Sequence, residues 1–151
     1  VRRENFIRKL IVALITSSLL SFIMAIIMYV PLSEQKPGSA YWSVPGLWIV
    51  YFIFSTLIII IGGIPYSFFI DSVSTRIKFL EDNKIKRILL NSIMYIFGGF
   101  LIFTIFVLFD SNEVEFNDFV SVYKFYIFGV IGALLFYYFD EIARLLIQKR
   151  E

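Results

Sequence analysis

Residues 10–30, LIVALITSSLLSFIMAIIMYV, follow directly on Arg8 and Lys9 and carry no charge over 21 positions. A helix of about 20 residues rises about 30 Å, the thickness of a bilayer's hydrocarbon core. Three more runs have the same character: WIVYFIFSTLIIIIGGIPYSFFI (48–70), ILLNSIMYIFGGFLIFTIFVLF (88–109) and FYIFGVIGALLFYYF (125–139). The last is short. It crosses if Lys124 snorkels outward and Asp140 sits at the opposite interface. The reading is an all-α polytopic membrane protein: one domain, 1–151, with four transmembrane helices in an antiparallel bundle. The spans are expected at about 8–30, 46–70, 88–109 and 121–143.

Composition supports this. The chain is 59% hydrophobic and 17% charged, where about a quarter charged is usual. A soluble core of 151 residues could not hide that much apolar surface. The first run is also too long for the apolar part of a signal peptide, and the small-residue pattern after it is weak, so it is read as a retained span. No Cys or His occurs. Disulfides, thiolate chemistry, the usual zinc ligands and the commonest general base are therefore excluded.

Charge placement sets the expected orientation. Arg2, Arg3, Arg8 and Lys9 precede the first span. Arg76, Lys78, Lys84, Lys86 and Arg87 form a basic loop between the second and third, and Arg144, Lys149 and Arg150 follow the fourth. In a four-helix meander all of these share one side, and only Lys36 and Lys124 lie on the other. Basic residues in short flanking segments stay cytoplasmic, so both termini are expected there. The basic loop also holds Val73, Ile77, Leu80 and Ile85, which predicts a brief amphipathic helix or an extension of the second span. Pro45 is placed to open the second span, and Asn117 or Asp118 to cap the fourth.

Within the spans, Thr16, Ser17 and Ser21 form a polar face on the first helix. Such residues let helices approach and hydrogen-bond, or line a path for a solute. Gly98, Gly99, Gly129, Gly132 and Ala133 predict close helix contacts. Gly62, Gly63 and Pro65 predict a kink in the second span, because Pro65 lacks an amide hydrogen and its ring clashes with the Ile61 carbonyl. Asp71, Asp110 and Asp140 fall at span ends. Asp140 and Arg144, one turn apart, are expected to pair at the interface. No two acidic residues are expected at matching depth, and no serine has an evident base. No catalytic, cofactor-binding or metal-binding residue is expected, and the chain is read as not an enzyme.

The segment GGIPYSFFIDSVS, with Gly63, Ile64, Pro65, Ser67, Asp71 and Ser74, resembles a family of small, uncharacterised four-span membrane proteins of Bacillus and its phages. The resemblance implies a bacterial plasma-membrane location and transfers no activity. The Phe-, Ile- and Lys-rich bias fits a low-GC bacterial gene. The expected function is a non-enzymatic interaction or immunity-type membrane protein. Its expected partners are the lipid bilayer and another membrane protein or a second copy of itself, with no nucleic acid and no cofactor. The alternative is a small transporter or channel subunit acting as an oligomer.

Overall fold

A computed structural model of the chain describes residues 2–36, 40–77, 84–110 and 116–148. All elements among them are helical: α1 (Arg2–Met28), a short 3₁₀ turn (Leu32–Glu34), α2 (Val44–Ile58), a π turn (Ile59–Gly63), α3 (Ile64–Arg76), α4 (Lys84–Asp110) and α5 (Phe116–Gln148). Three stretches among the described residues are long and apolar enough to cross a membrane: Glu4–Met28, Val44–Arg76 and Ile85–Ile105.

Local chemistry sets the ends. No Gly or Pro interrupts α1, and Pro31 follows soon after its last turn. Ser43 caps α2, its hydroxyl accepting the Gly46 amide at 3.3 Å, and Pro45 stands in the first turn. At α5 the expectation needs correction. The helix already includes Phe116, so Asn117 and Asp118 lie inside its first turn rather than capping it. Helix continues beyond the second span to Arg76, covering Val73, while Leu80 lies outside the described residues.

The side-chain distribution of α1 is inside out. Its buried stripe is Lys9, Val12, Ala13, Thr16, Ser17, Leu20, Ser21, Met24 and Ala25, at helical three- and four-residue spacing. Its exposed positions include Ile11, Leu14, Ile15, Leu19, Phe22, Ile23, Ile26 and Ile27. In water that arrangement would expose the large side chains and bury the hydroxyls. Against lipid it costs nothing outside and lets small residues bring helices close inside.

α1 packs against α2, α3 and α5, while α4 packs against α5 and α3. Gly99 and Gly129 make the α4–α5 approach: a Cβ on Gly99 would lie 2.7 Å from the Gly129 carbonyl oxygen and 3.0 Å from the Ala133 Cβ. Gly98 faces the other way and receives the Tyr66 ring, 2.1 Å from where a Cβ would stand. Tyr66 then donates its hydroxyl to the Met94 carbonyl at 2.8 Å.

The second span is continuous from Val44 to Arg76, with the π turn just ahead of Pro65. The Ile64 amide bonds back five residues to the Ile59 carbonyl. Widening the turn in this way gives the proline ring a carbonyl arrangement other than the α-helical one it would clash with. The break also divides two kinds of packing. α2 has no fully buried residue, whereas α3 buries Ile64, Ser67 and Ile70.

Candidate functional site: a buried charge network

Four helices meet around Lys9. α1 supplies Arg8 and Lys9, α3 supplies Ser67 and Asp71, α4 supplies Tyr95, and α5 supplies Asp140, Glu141 and Arg144. Lys9 has 0% of its surface exposed. Its ammonium lies 2.8 Å from Asp71 Oδ2 and 3.2 Å from Asp140 Oδ2, and it also donates to Ser67 Oγ. Those three acceptors match its three donors, which is the condition for burying an ammonium at tolerable cost. The Phe68 ring lies 5.1 Å from the nitrogen.

Each aspartate is held again from outside. Arg8 donates Nε to Asp140 Oδ1 at 2.8 Å and Nη2 to Oδ2 at 3.4 Å, a two-pronged contact across α1 and α5. Arg144 donates to Asp71 Oδ1 at 3.1 Å and stands 3.9 Å from Asp140 and 3.7 Å from Glu141. Burial lowers the affinity of Arg144 for its proton, but Asp71, Glu141 and Asp140 outweigh burial and hold its pKa above the ordinary value. Arg87 reaches Glu141 at 3.4 Å and brings α4 into the same chain of charges.

A layer of hydroxyls and rings backs the charges. Tyr95 is buried and donates to Ser67 Oγ at 2.6 Å. Its ring stacks on Tyr137 at 4.9 Å and meets Tyr66 edge-on at 6.2 Å. Ser74 donates to Asn91 at 2.6 Å, and Ser92 shares a hydrogen bond with Tyr138 at 3.2 Å.

The expected pair Asp140–Arg144 is therefore present but loose, and Arg144 finds a closer partner in Asp71. The expectation that no acidic residues share a depth is corrected, since Asp71 and Asp140 converge on one ammonium. Helix-to-helix register decides this, and counting along single spans does not reveal it. Lys9, Asp71, Ser67 and Tyr95 were not singled out as one site by sequence reasoning. The available signals were the four-residue spacing of Ser67 and Asp71, and a lysine at the border of an apolar run.

No family model, curated protein or solved structure matches the chain.

Ser67 Oγ accepts from both Lys9 Nζ and Tyr95 Oη, which joins α1, α3 and α4 at one oxygen. Among the described residues no three His, Cys, Asp or Glu side chains converge as a metal-holding group. The arrangement acts as a clamp on four helices.

The other candidate residues lie elsewhere. Thr16, Ser17 and Ser21 are fully buried. Ser17 donates to the Ala13 carbonyl of its own helix at 2.7 Å, and Ser21 to Ser55 Oγ at 3.3 Å. Gly62 and Gly63 close the π turn, and Pro65 follows in α3. Of the basic loop, Arg76 ends α3 exposed, Lys84 opens α4, Lys86 and Arg87 follow on α4, and Lys78 lies outside the described residues.

Proposed function

We propose that the chain is a multi-pass protein of a bacterial plasma membrane, with four spans alternating in direction and both termini cytoplasmic. Its function on this reading is non-enzymatic, of the interaction or immunity type, exerted by binding another membrane protein or a second copy of itself. The resemblance to small four-span proteins of Bacillus and its phages agrees with this and adds no activity.

The observation that carries the reading is the one-sided packing of α2. It packs chiefly on α1 and exposes Ile49, Ile53, Phe54, Leu57 and, at the π turn, Ile61 as a continuous apolar face. The polar residues that a solute path would use are turned inward instead. Thr16, Ser17 and Ser21 are closed off by helix packing, and the charges around Lys9 are spent on one another. Placement follows from lengths. Val44–Arg76 spans 33 residues, about 50 Å of helix, so it exceeds the hydrocarbon core by about 20 Å. Lys9 lies 19 residues, about 28 Å, from the far end of α1 at Met28. Both lengths agree with a network at one boundary of the core, which is the inner one on the proposed orientation.

The test is deletion in the native host combined with capture of the tagged protein in mild detergent. Recovery of one specific membrane partner, or of a second tagged copy, is the expected result. A defect in solute flux with no partner recovered would replace this reading with the transporter alternative.

A further inference from the structure

Four cations of the network, Arg8, Lys9, Arg87 and Arg144, face three carboxylates, Asp71, Asp140 and Glu141, so one positive charge is left over among the described residues (4 − 3). Exposure decides where that charge can be met. The Lys9 side chain is fully covered and that of Arg8 is 10% exposed, whereas Arg144 keeps 30% and Arg87 39%. Asp71 is also partly exposed, but one of its oxygens is held by Lys9 and the other by Arg144. The open edge of the network is therefore cationic, and it lies where α4 meets α5.

The geometry of that edge is specific. Arg87 of α4 and Arg144 of α5 straddle Glu141, with Arg87 Nη2 3.4 Å from Oε1 and Arg144 Nη1 3.7 Å from Oε2. Both contacts are long, because one carboxylate is shared between two guanidiniums. Each guanidinium carries several N–H donors in a planar fork and spends one hydrogen bond on the described residues, Arg87 on Glu141 and Arg144 on Asp71. The unspent donors suit a phosphate, whose oxygens can accept from two forks at once. Hydrocarbon surface lies beside the pair. Ile88 and Leu89 follow Arg87 on α4, and Ile142, Leu145 and Leu146 flank Arg144 on α5, all of them exposed. A soluble anion makes no use of that surface. A phospholipid does, because its phosphate stands at the end of its acyl chains, at the boundary of the core.

We propose that this edge holds one anionic phospholipid, its phosphate accepting from Arg87 and Arg144 and its acyl chains lying over Leu89 and Leu145. The surplus charge selects an anionic headgroup over a zwitterionic one, which would bring a cation of its own beside the arginines. The site rests on placing the network at one boundary of the bilayer core. It is independent of which side that boundary faces and of any protein partner.

The test is thermal unfolding of the full chain in mild detergent doped with phosphatidylglycerol or, separately, with phosphatidylcholine of the same acyl chains. Phosphatidylglycerol is expected to raise the melting temperature by about 3–6 °C at about ten times its dissociation constant, and phosphatidylcholine by less than about 1 °C. Arg87→Gln should leave the lipid-free melting temperature nearly unchanged and remove most of the rise. Arg76→Gln, an exposed basic residue at the end of α3, should keep the rise whole. Equal rises with the two lipids overturn the proposal. So does an equal loss in the two variants, which makes the effect a diffuse property of the basic flank. A rise reproduced by inorganic phosphate alone overturns it in favour of a soluble anion. Failure to capture a protein partner bears on the interaction reading and leaves these melting shifts untouched.

Discussion

Asp140 should matter more to stability than Lys9, although Lys9 is the more deeply buried. The reason is charge arithmetic. Arg8, Lys9, Arg87 and Arg144 face Asp71, Asp140 and Glu141, which leaves one positive charge in excess (4 − 3). Lys9→Met removes that excess and leaves three closed pairs, Arg8 with Asp140, Arg144 with Asp71 and Arg87 with Glu141. Asp140→Asn raises the excess to two charges, takes from Arg8 the one carboxylate it meets among the described residues and removes one of two from Lys9. The Asp140 side chain is 5% exposed, so solvent offsets little of this. Removing one partner of a buried pair costs about 3–5 kcal/mol. At about 2–4 °C per kcal/mol for a chain of this size, Asp140→Asn should lower the melting temperature by about 10 °C. Lys9→Met should cost about half as much, through its three lost hydrogen bonds. The double variant, balanced apart from Arg8, should melt above Asp140→Asn alone. Thermal unfolding in detergent, followed by circular dichroism, reads all three. The reasoning is refuted if Asp140→Asn is no worse than Lys9→Met, or if the double variant melts below both.

Other outcomes follow from the packing. Gly98→Ala should displace the Tyr66 ring and break its bond to Met94, costing about 1–3 kcal/mol in the same unfolding assay. Gly99→Ala should cost more than Gly129→Ala, since its Cβ would press on backbone at 2.7 Å against 3.2 Å. Arg87→Gln should cost less than about 1 kcal/mol, because Arg87 is 39% exposed and its contact with Glu141 is long. The chain has no natural cysteine, so single substitutions report topology cleanly. In intact cells a membrane-impermeant maleimide should label Ser33→Cys and spare Thr75→Cys, and the reverse pattern would invert the proposed orientation.

The helices were legible in the sequence because three of the apolar runs are long and their ends are marked by charge, Pro or Ser. The small-residue face of α1 was legible for the same reason: Thr16, Ser17 and Ser21 stand out in a run of Leu and Ile. The charge network was not. Lys9 sits at the border of an apolar run, where a flanking charge and a buried one read alike along a single chain. Its burial depends on Asp71 and Asp140 arriving from two other helices, and that is set by packing. Pro65 announced a disturbance in the second span. That it takes the form of a π turn depends on which carbonyl the Ile64 amide reaches, a choice between neighbouring registers that local composition does not make.

The network also has an order in time. A chain emerges from the ribosome from its N-terminus, and Asp140 lies 131 positions after Lys9. On the proposed topology, while α1 inserts the ammonium has neither Asp71 nor Asp140 to meet and behaves as an ordinary basic flank, holding its end of the helix on the side where synthesis takes place. Only when α5 has been made can the same group meet both of its aspartates and be covered. Lys9 thus serves first as an address for insertion and later as a seam between helices. A nascent chain stopped before Asp140 keeps the first role and lacks the second, so closure of the network waits on α5.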